Sequence, residues 1–372
     1  MSRLAPSPVA QTMRATLLTG HGGLEKLVYR EDVPTPHPAA GEVLIRVGAC
    51  GINNTDINLR TGWYDQTVDS ELSEDLGLRG RAEAAAASWN RSEAGFPRIQ
   101  GAAVAGTVAA VGEGVSADRV GERVLVDPCV RDPALPSRAQ LVEYLGGDRD
   151  GGYAEFVVVP DLNAHVIASP LSDAELATFP CSYDTAEEML ERTHLARDET
   201  VVVTGAAGGV GTALIQLSLI RGARVVAIAG AGKEERLRSL GAHEFVPRES
   251  EDLQSAVERL IGPRGADVVV DVVGGPMFDL LLKLLRRGGR YATAGAIAGP
   301  VTRIDLRDLI YKDLEMYGIT NPTAATFARL VALVASGDLQ PLLEEAFPLA
   351  ELRSAQARLL KRSHVGKFVV TP

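Results

Sequence analysis

The sequence predicts an α/β protein of two units, a partly closed β-barrel and a doubly wound parallel sheet. Three observations carry that expectation. Residues 13–170 hold many short apolar runs punctuated by glycine and proline. Residues 171–320 alternate apolar strands with helical stretches, the pattern of a parallel sheet. Within that alternation, Thr204-Gly205-Ala206-Ala207-Gly208-Gly209-Val210-Gly211 joins a β-branched run to a helical run.

At 372 residues, two domains are expected. Hydrophobic content of 46% and charged content of 23% are those of a soluble globular protein. A formal charge of −10 argues against nucleic acid and anionic membranes as partners. Cys50, Cys129 and Cys181 form no CxxC pair, which argues against a disulfide framework or a zinc knuckle. The start, MSRLAPSPVAQT, lacks a signal-peptide core, and no stretch reaches ~18 apolar residues. A cytoplasmic protein with a disordered lead-in over 1–12 is expected.

Taken in order, 15–19, 26–29, 43–47, 104–111, 123–126 and 153–159 read as strands. Two excursions interrupt them. Residues 65–95 are charged, alanine-rich and partly helical in pattern, and 128–152 are rich in Pro, Gly and charge. Each reads equally as a wall beside a binding cleft or as a surface insertion. Helices follow at 186–193, 233–240, 252–260 and 278–285, and strands at 267–272, 290–294 and 315–319. The tail holds helices at 327–335 and 350–361 and a last strand at 366–370. That strand is expected to return to the first unit. The organisation is therefore 13–170 plus 321–372 around an inserted unit at 171–320.

The glycine turn names the ligand class. Strand 201–203, the turn, and helix 212–220 give the context of a dinucleotide fingerprint, with Ala206 in the first glycine position. Ala206, Gly208, Gly209, Val210 and Gly211 are the expected pyrophosphate contacts, at a helix N-terminus. NAD-binding units carry an acid ~20 residues past the first glycine. Ile228 to Gly232 has none, and Lys233 and Arg236 follow. NADPH is therefore expected over NADH, the other reading being that both cations are solvated in a helical first turn. Ligands lie at the carboxyl ends of parallel strands, so Gly274, Gly295, Ala296, Ile297, Thr320 and Asn321 are further cofactor candidates. Lys367 reads either as a phosphate contact or as a strand-end charge.

Further motifs appear in a fixed order: Gly51-Ile52-Asn53-Asn54-Thr55-Asp56, Gly101-Ala102-Ala103-Val104-Ala105-Gly106, Gly121-Glu122-Arg123-Val124, Gly152-Tyr153-Ala154-Glu155, the fingerprint, and Gly366-Lys367. With them the chain resembles the medium-chain dehydrogenase/reductase superfamily over nearly its whole length. The resemblance implies a GroES-like barrel as catalytic domain and a Rossmann sheet as dinucleotide domain. Zinc members hold their catalytic metal with Cys, His-Glu and a second Cys. Those positions fall here on Asn53, Ala102-Ala103 and Cys181, which implies no metal, since Asn is a poor ligand and Ala none. The run Asn53-Asn54-Thr55-Asp56-Ile57-Asn58-Leu59-Arg60-Thr61-Gly62-Trp63-Tyr64 resembles the zinc-free quinone oxidoreductases and 2-enoyl thioester reductases.

What the resemblance implies is hydride transfer from NADPH to an activated double bond of a quinone, enone or enal, a small electrophile. Tyr64 is the first candidate for donor to the substrate carbonyl, or else an aromatic wall. Asn53 is the second, or else a loop-fixing residue, and Asp56 orients that loop. Thr185 matches a position near the nicotinamide and also reads as a helix N-cap. The alternatives are an enoyl-CoA reductase, with Arg79, Arg81 and Arg91 either meeting the CoA phosphates or pairing with acids, an alcohol dehydrogenase with altered zinc ligands, and a non-catalytic NADPH-binding protein. Family analogy implies a homodimer, with 289–295 as a candidate edge strand.

Overall fold

Short strands rich in β-branched and small residues build the first unit, and runs of its central strands, Glu42–Gly51 and Ala103–Val111, are buried on both faces. The computed structural model describes residues 9–81 and 95–372. Most of the expected lead-in, the alanine-rich helix and Arg91 lie outside the described residues. Thr12, the last residue of that lead-in, already opens a strand.

In chain order the first unit holds β1 (Thr12–Leu18), β2 (Leu27–Pro34), β3 (Glu42–Gly51), α1 (Asn54–Thr61), α2 (Glu74–Arg79), β4 (Arg98–Ile99), β5 (Ala103–Val111) and β6 (Arg123–Val126). It continues with β7 (Cys129–Arg131), β8 (Leu141–Tyr144), β9 (Phe156–Pro160), β10 (Ala164–Val166) and α3 (Asp173–Leu176). β3 is its spine, antiparallel to β5 on one side and to β9 along its first half. Val43, Leu44, Ile45 and Cys50 on β3 are at most 1% exposed, so this strand sits inside the barrel core.

The second unit opens with α4 (Tyr183–Arg192), β11 (Thr200–Val203), α5 (Gly209–Ile220), β12 (Arg224–Ala229), α6 (Glu234–Ser239), β13 (Glu244–Pro247) and α7 (Leu253–Ile261). β14 (Ala266–Asp271), α8 (Phe278–Leu284), β15 (Leu285–Thr293), α9 (Leu306–Tyr311), β16 (Glu315–Gly318) and α10 (Ala324–Ser336) follow. All six strands pair in parallel in the order β13-β12-β11-β14-β15-β16. The strand order reverses between β11 and β14, the point where such sheets bind ligands. Val201, Val202 and Val203 of β11 are fully buried between helices on both faces, hence the unbroken apolar run.

The expected edge at 289–295 is corrected. β15 lies between β14 and β16, and β16 is the edge. Strand order in the sheet is set by tertiary packing and not by the local sequence, and β16, mostly exposed, stands at its end. The chain ends with β17 (Leu343–Pro348), α11 (Leu352–Leu360) and β18 (Lys367–Thr371). β18 pairs antiparallel with β3, Val369 opposite Gly51 and Val370 opposite Cys50, so the tail does rejoin the barrel sheet. α10 instead packs on α4, where the Thr326 hydroxyl donates to Glu188 at 2.7 Å. Among the described residues no helix is long and apolar enough to cross a membrane.

Candidate active site

The turn after β11 is shaped for a ligand. Gly205 takes φ +55°, where a side chain is disfavoured. A Cβ on Gly211 would lie 2.3 Å from the Gly205 carbonyl oxygen, so only glycine lets α5 pack this tightly under the turn. Gly208 caps α5 with no side-chain hydrogen bond, and a Cβ there would meet only the Gly205 oxygen at 3.6 Å. No acid stands in the first turn of α5. Its positive end is therefore left to an outside anion. Val210 lies in that first turn. Ala206 is fully buried and its N–H is taken by the Ile228 carbonyl at 3.1 Å, so it supports the turn from within.

At the end of β14, the buried Asp271 carboxylate accepts the N–H groups of Val273 and Gly274 and the Tyr291 hydroxyl at 2.6 Å. This sets the backbone at Gly274, whose φ is +64°. A Cβ on Gly274 would come 3.0 Å from Ala296 Cα, so Gly274, Gly295 and Ala296 form one close-packed rim. The Ile297 carbonyl accepts the Leu72 N–H at 2.8 Å, which ties that rim to the barrel unit. Thr320 and Asn321 follow β16, and Asn321 Oδ1 is buried with no partner among the described residues. An open helix end, a glycine rim and an unused buried acceptor fit a dinucleotide with a carboxamide.

The barrel side is a fixed polar network. Asp56 Oδ2 accepts the Asn53 N–H at 2.8 Å and the Tyr153 hydroxyl at 2.7 Å. Burial pushes the Asp56 carboxyl up to about 6 against those bonds. Asn53 Nδ2 donates to the Gly51 carbonyl at 3.2 Å, and Asn53 Oδ1 accepts from Lys367 Nζ. Lys367 Nζ also donates to Ser182 Oγ at 3.0 Å, and burial lowers its pKa. A Cβ on Gly209 would lie 2.6 Å from Ser182 Oγ and 3.0 Å from Lys367 Cδ. Lys367 is thus an interior cation joining the Asn53 loop to the first turn of α5. The Tyr64 hydroxyl faces Asn58, with Cys181 and Asp56 near, and burial raises its pKa.

Cys181 has a left-handed φ of +68°. Its thiol accepts from the Tyr144 hydroxyl at 3.2 Å, and its carbonyl from the Thr185 hydroxyl at 2.6 Å. Ser182 occupies the N-cap position of α4, so Thr185 is an early helical residue bonding backwards and not the cap. Among the described residues no three His, Cys, Asp or Glu side chains stand together as a metal site would need.

Two expected contacts have other partners. Lys233 Nζ donates to the Arg362 carbonyl at 2.7 Å, and Arg236 donates to the Val365 carbonyl and pairs with Glu344 at 2.8 Å. The sequence reading missed the groups beside them. The register Ala229 opposite Pro247 puts Arg248 and Glu249 at the loop after β12. Glu249 accepts the Ala231 N–H at 3.0 Å and pairs with Arg248 at 2.8 Å. The only signal for them was their place just past a short strand. In the 65–95 excursion Arg79 pairs with Asp75 at 3.0 Å, and Arg81 reaches Thr67.

Asp184, on α4, is 1% exposed and one of its oxygens has no partner among the described residues. Burial and the nearby Asp127 push its carboxyl up to about 7. This folded value lies above the unfolded one. Its favourable contribution is complete below the unfolded pKa and is lost as pH rises through about 7. Asp184→Asn should therefore stabilise the protein more at pH 8 than at pH 5, by on the order of 2 kcal/mol. Urea unfolding at the two pH values checks this, and equal effects would mean that Asp184 is ionised throughout.

Comparison with known proteins gives the family of the chain. The alcohol dehydrogenase GroES-like domain matches residues 39–170, and the zinc-binding dehydrogenase domain matches 209–336. The quinone oxidoreductase of Lama guanicoe is 28% identical, with 96% of this chain and 97% of that protein covered. A provisionally assigned alcohol dehydrogenase from Sinorhizobium meliloti 1021 is 50% identical in its crystal structure, with a TM-score of 0.89 and 98% of both chains covered. An NAD-dependent alcohol dehydrogenase structure is 30% identical with a TM-score of 0.85, over 97% of this chain and 100% of the other. Two matched domains in the order the strands show, and a half-identical relative covering both, make the chain an oxidoreductase of the medium-chain dehydrogenase/reductase superfamily, quinone oxidoreductase-like within it.

Proposed function

We propose that the protein is an NADPH-dependent, zinc-independent reductase of activated double bonds in quinones, enones or enals. The observation that carries this reading is the donor set around Cys181. Asn53 is engaged with Lys367 and Gly51, Ala102 offers no ligand atom, and the thiol is bonded to a tyrosine. Such a set polarises a carbonyl through hydrogen bonds and is poor at holding a divalent ion.

Bound at the glycine turn, the reduced nicotinamide supplies a hydride. The first turn of α5 would hold the pyrophosphate, and Gly274, Gly295 and Ala296 would form the wall beside the nicotinamide. Tyr64 stays protonated because burial raises its pKa, so it donates to the substrate oxygen as negative charge gathers there. Asn53 keeps one amide hydrogen beyond its bond to Gly51 and adds a second donor. Lys367 holds that amide in one orientation from the far side. The hydride would add at the β-carbon of the double bond, negative charge would gather on the oxygen that Tyr64 and Asn53 hold, and a solvent proton taken up at the α-carbon would complete the product.

Support for NADPH comes from the cations Lys233, Arg236, Arg248 and Arg362 gathered around the loop after β12. One observation favours a second reading: Glu249 places a carboxylate on the Ala231 N–H, where an acid would bond a free ribose hydroxyl. NADPH is expected to bind about tenfold tighter than NADH, and chelator-treated protein is expected to consume it with a quinone or a short enone. The panel includes a 2-enoyl-CoA to separate the thioester branch. Activity only on alcohols, or only after zinc is added, overturns the metal-free reading. Tight NADPH binding with no turnover on any electrophile marks a binding protein instead.

A further inference from the structure

The 128–152 excursion contributes one side chain to this site. β7 and β8 form a short antiparallel hairpin that sets Tyr144 opposite Cys129. The Tyr144 ring packs with Ala102 and Cys129 in a small apolar cluster. Its backbone is pinned by the turn that follows. The Tyr144 N–H donates to Asp148 at 2.9 Å, and its carbonyl accepts the N–H groups of Gly147 and Asp148 at 3.1 and 2.9 Å. The Leu145 N–H donates to the Pro128 carbonyl at 2.9 Å, closing the hairpin base. The ring is therefore held, 8% exposed, with its hydroxyl 3.2 Å from Cys181 Sγ.

Cys181 is an unusual partner for a buried phenol. A thiol sulfur is a weak acceptor, and an oxygen gathering negative charge is a far better one. Cys181 is itself held in left-handed backbone, and the next residue, Ser182, bonds Lys367 and lies against Gly209 of α5. The Tyr144 hydroxyl thus arrives where the Asn53 loop, the Cys181 turn and the helix end converge. A ligand oxygen gathering negative charge would compete well with the thiol for this fixed hydroxyl, the arrangement expected of a preorganised oxyanion donor.

We propose that Tyr144 donates a hydrogen bond to the substrate oxygen beside Cys181, as a catalytic residue that the quinone, enone or enal reduction uses in addition to Tyr64 and Asn53. The proposal rests on the reductase reading above. Burial raises the phenol pKa, so the donor keeps its proton across the working range.

The test uses Tyr144→Phe and Cys181→Ala in the full chain. Two readouts are taken: kcat for cyclohex-2-en-1-one with NADPH, and the infrared carbonyl stretch of the carbonyl-¹³C enone bound with NADP⁺, a pair that cannot react. Tyr144→Phe is expected to lower kcat by about 100-fold, with the NADPH dissociation constant and thermal midpoint unchanged. The wild-type carbonyl stretch is expected below its free value, and Tyr144→Phe should return most of that shift. Cys181→Ala should keep the shift, because it removes the thiol and leaves the Tyr144 hydroxyl in place. The proposal is overturned by a Tyr144→Phe protein that keeps its kcat or its shift, by a wild-type complex with no shift, or by loss of the shift in Cys181→Ala. A wild-type protein that shows the shift without turning over sinks the reductase reading and leaves the donor in place.

Discussion

Replacing Gly211 with alanine is expected to raise the NADPH dissociation constant at least about 100-fold and to lower the thermal midpoint by several degrees. The added Cβ would lie 2.3 Å from the Gly205 oxygen, 2.5 Å from Ala206 Cα and 2.7 Å from Ala206 C. All three are backbone atoms of the turn, so no rotamer change relieves the clash. Either α5 lifts away from β11 or the turn opens, and both would displace the N–H groups proposed to receive the pyrophosphate. Overpacking of this kind costs roughly 1–3 kcal/mol, before the lost ligand contacts are counted. Gly208→Ala is the control, since its Cβ meets a single atom at 3.6 Å. Fluorescence titration and calorimetry on the two variants separate a steric effect from a general loss of glycine freedom. A Gly211→Ala protein that bound NADPH normally would mean that the turn does not hold the cofactor.

Arg60→Met is expected to cost about 3–5 kcal/mol of stability. Arg60 is fully buried on α1 and, among the described residues, bonds no carboxylate. Its guanidinium donates to Gln356 Oε1 at 2.9 Å, the Gly22 carbonyl at 3.0 Å and the Gly77 carbonyl at 2.7 Å. These acceptors belong to α11, the turn before β2, and α2. Burial drops the Arg60 pKa to about 10, so the group stays charged at neutral pH. Methionine fills the stem's volume but strands three buried acceptors at once. Arg60→Lys keeps the charge with one compact donor group and should fall between. Urea denaturation of the three proteins checks the order. α1 also carries Asp56 and Asn58, so the methionine variant should lose activity at temperatures where it is still folded.

The parallel sheet was legible because its strands are buried on both faces and its helices carry a different period. Strand 123–126 was placed to the residue, and the tail's return was signalled by the apolar run after Gly366-Lys367. β13 (EFVP) and β17 (LEEAFP) were missed, since both are short, carry acids and end in proline, a strand composition that reads as loop. The site divides the same way. Asn53 and the glycine turn sit in local motifs and could be named from spacing. Tyr144 reaches the site only through a hairpin inside a glycine-rich excursion, and Glu249 only through the β12–β13 register. No local motif marks either. Lys233 and Arg236 show the converse: their charge was visible, but the tail carbonyls that engage them lie 129 residues away.

Those two cations also have a mechanical role. Each grips the segment between α11 and β18, one through Arg362 and the other through Val365, and Arg236 also pairs with Glu344 of β17. Arg362 in turn donates to the Leu72 carbonyl. The fingerprint-bearing sheet is thereby riveted to the returning tail by charged hydrogen bonds, stronger than neutral ones. Any opening between the sheet and the barrel would have to strip these rivets first. Heating should accordingly melt barrel and sheet in one calorimetric transition, and a sheet expressed without its tail would start with these rivets missing.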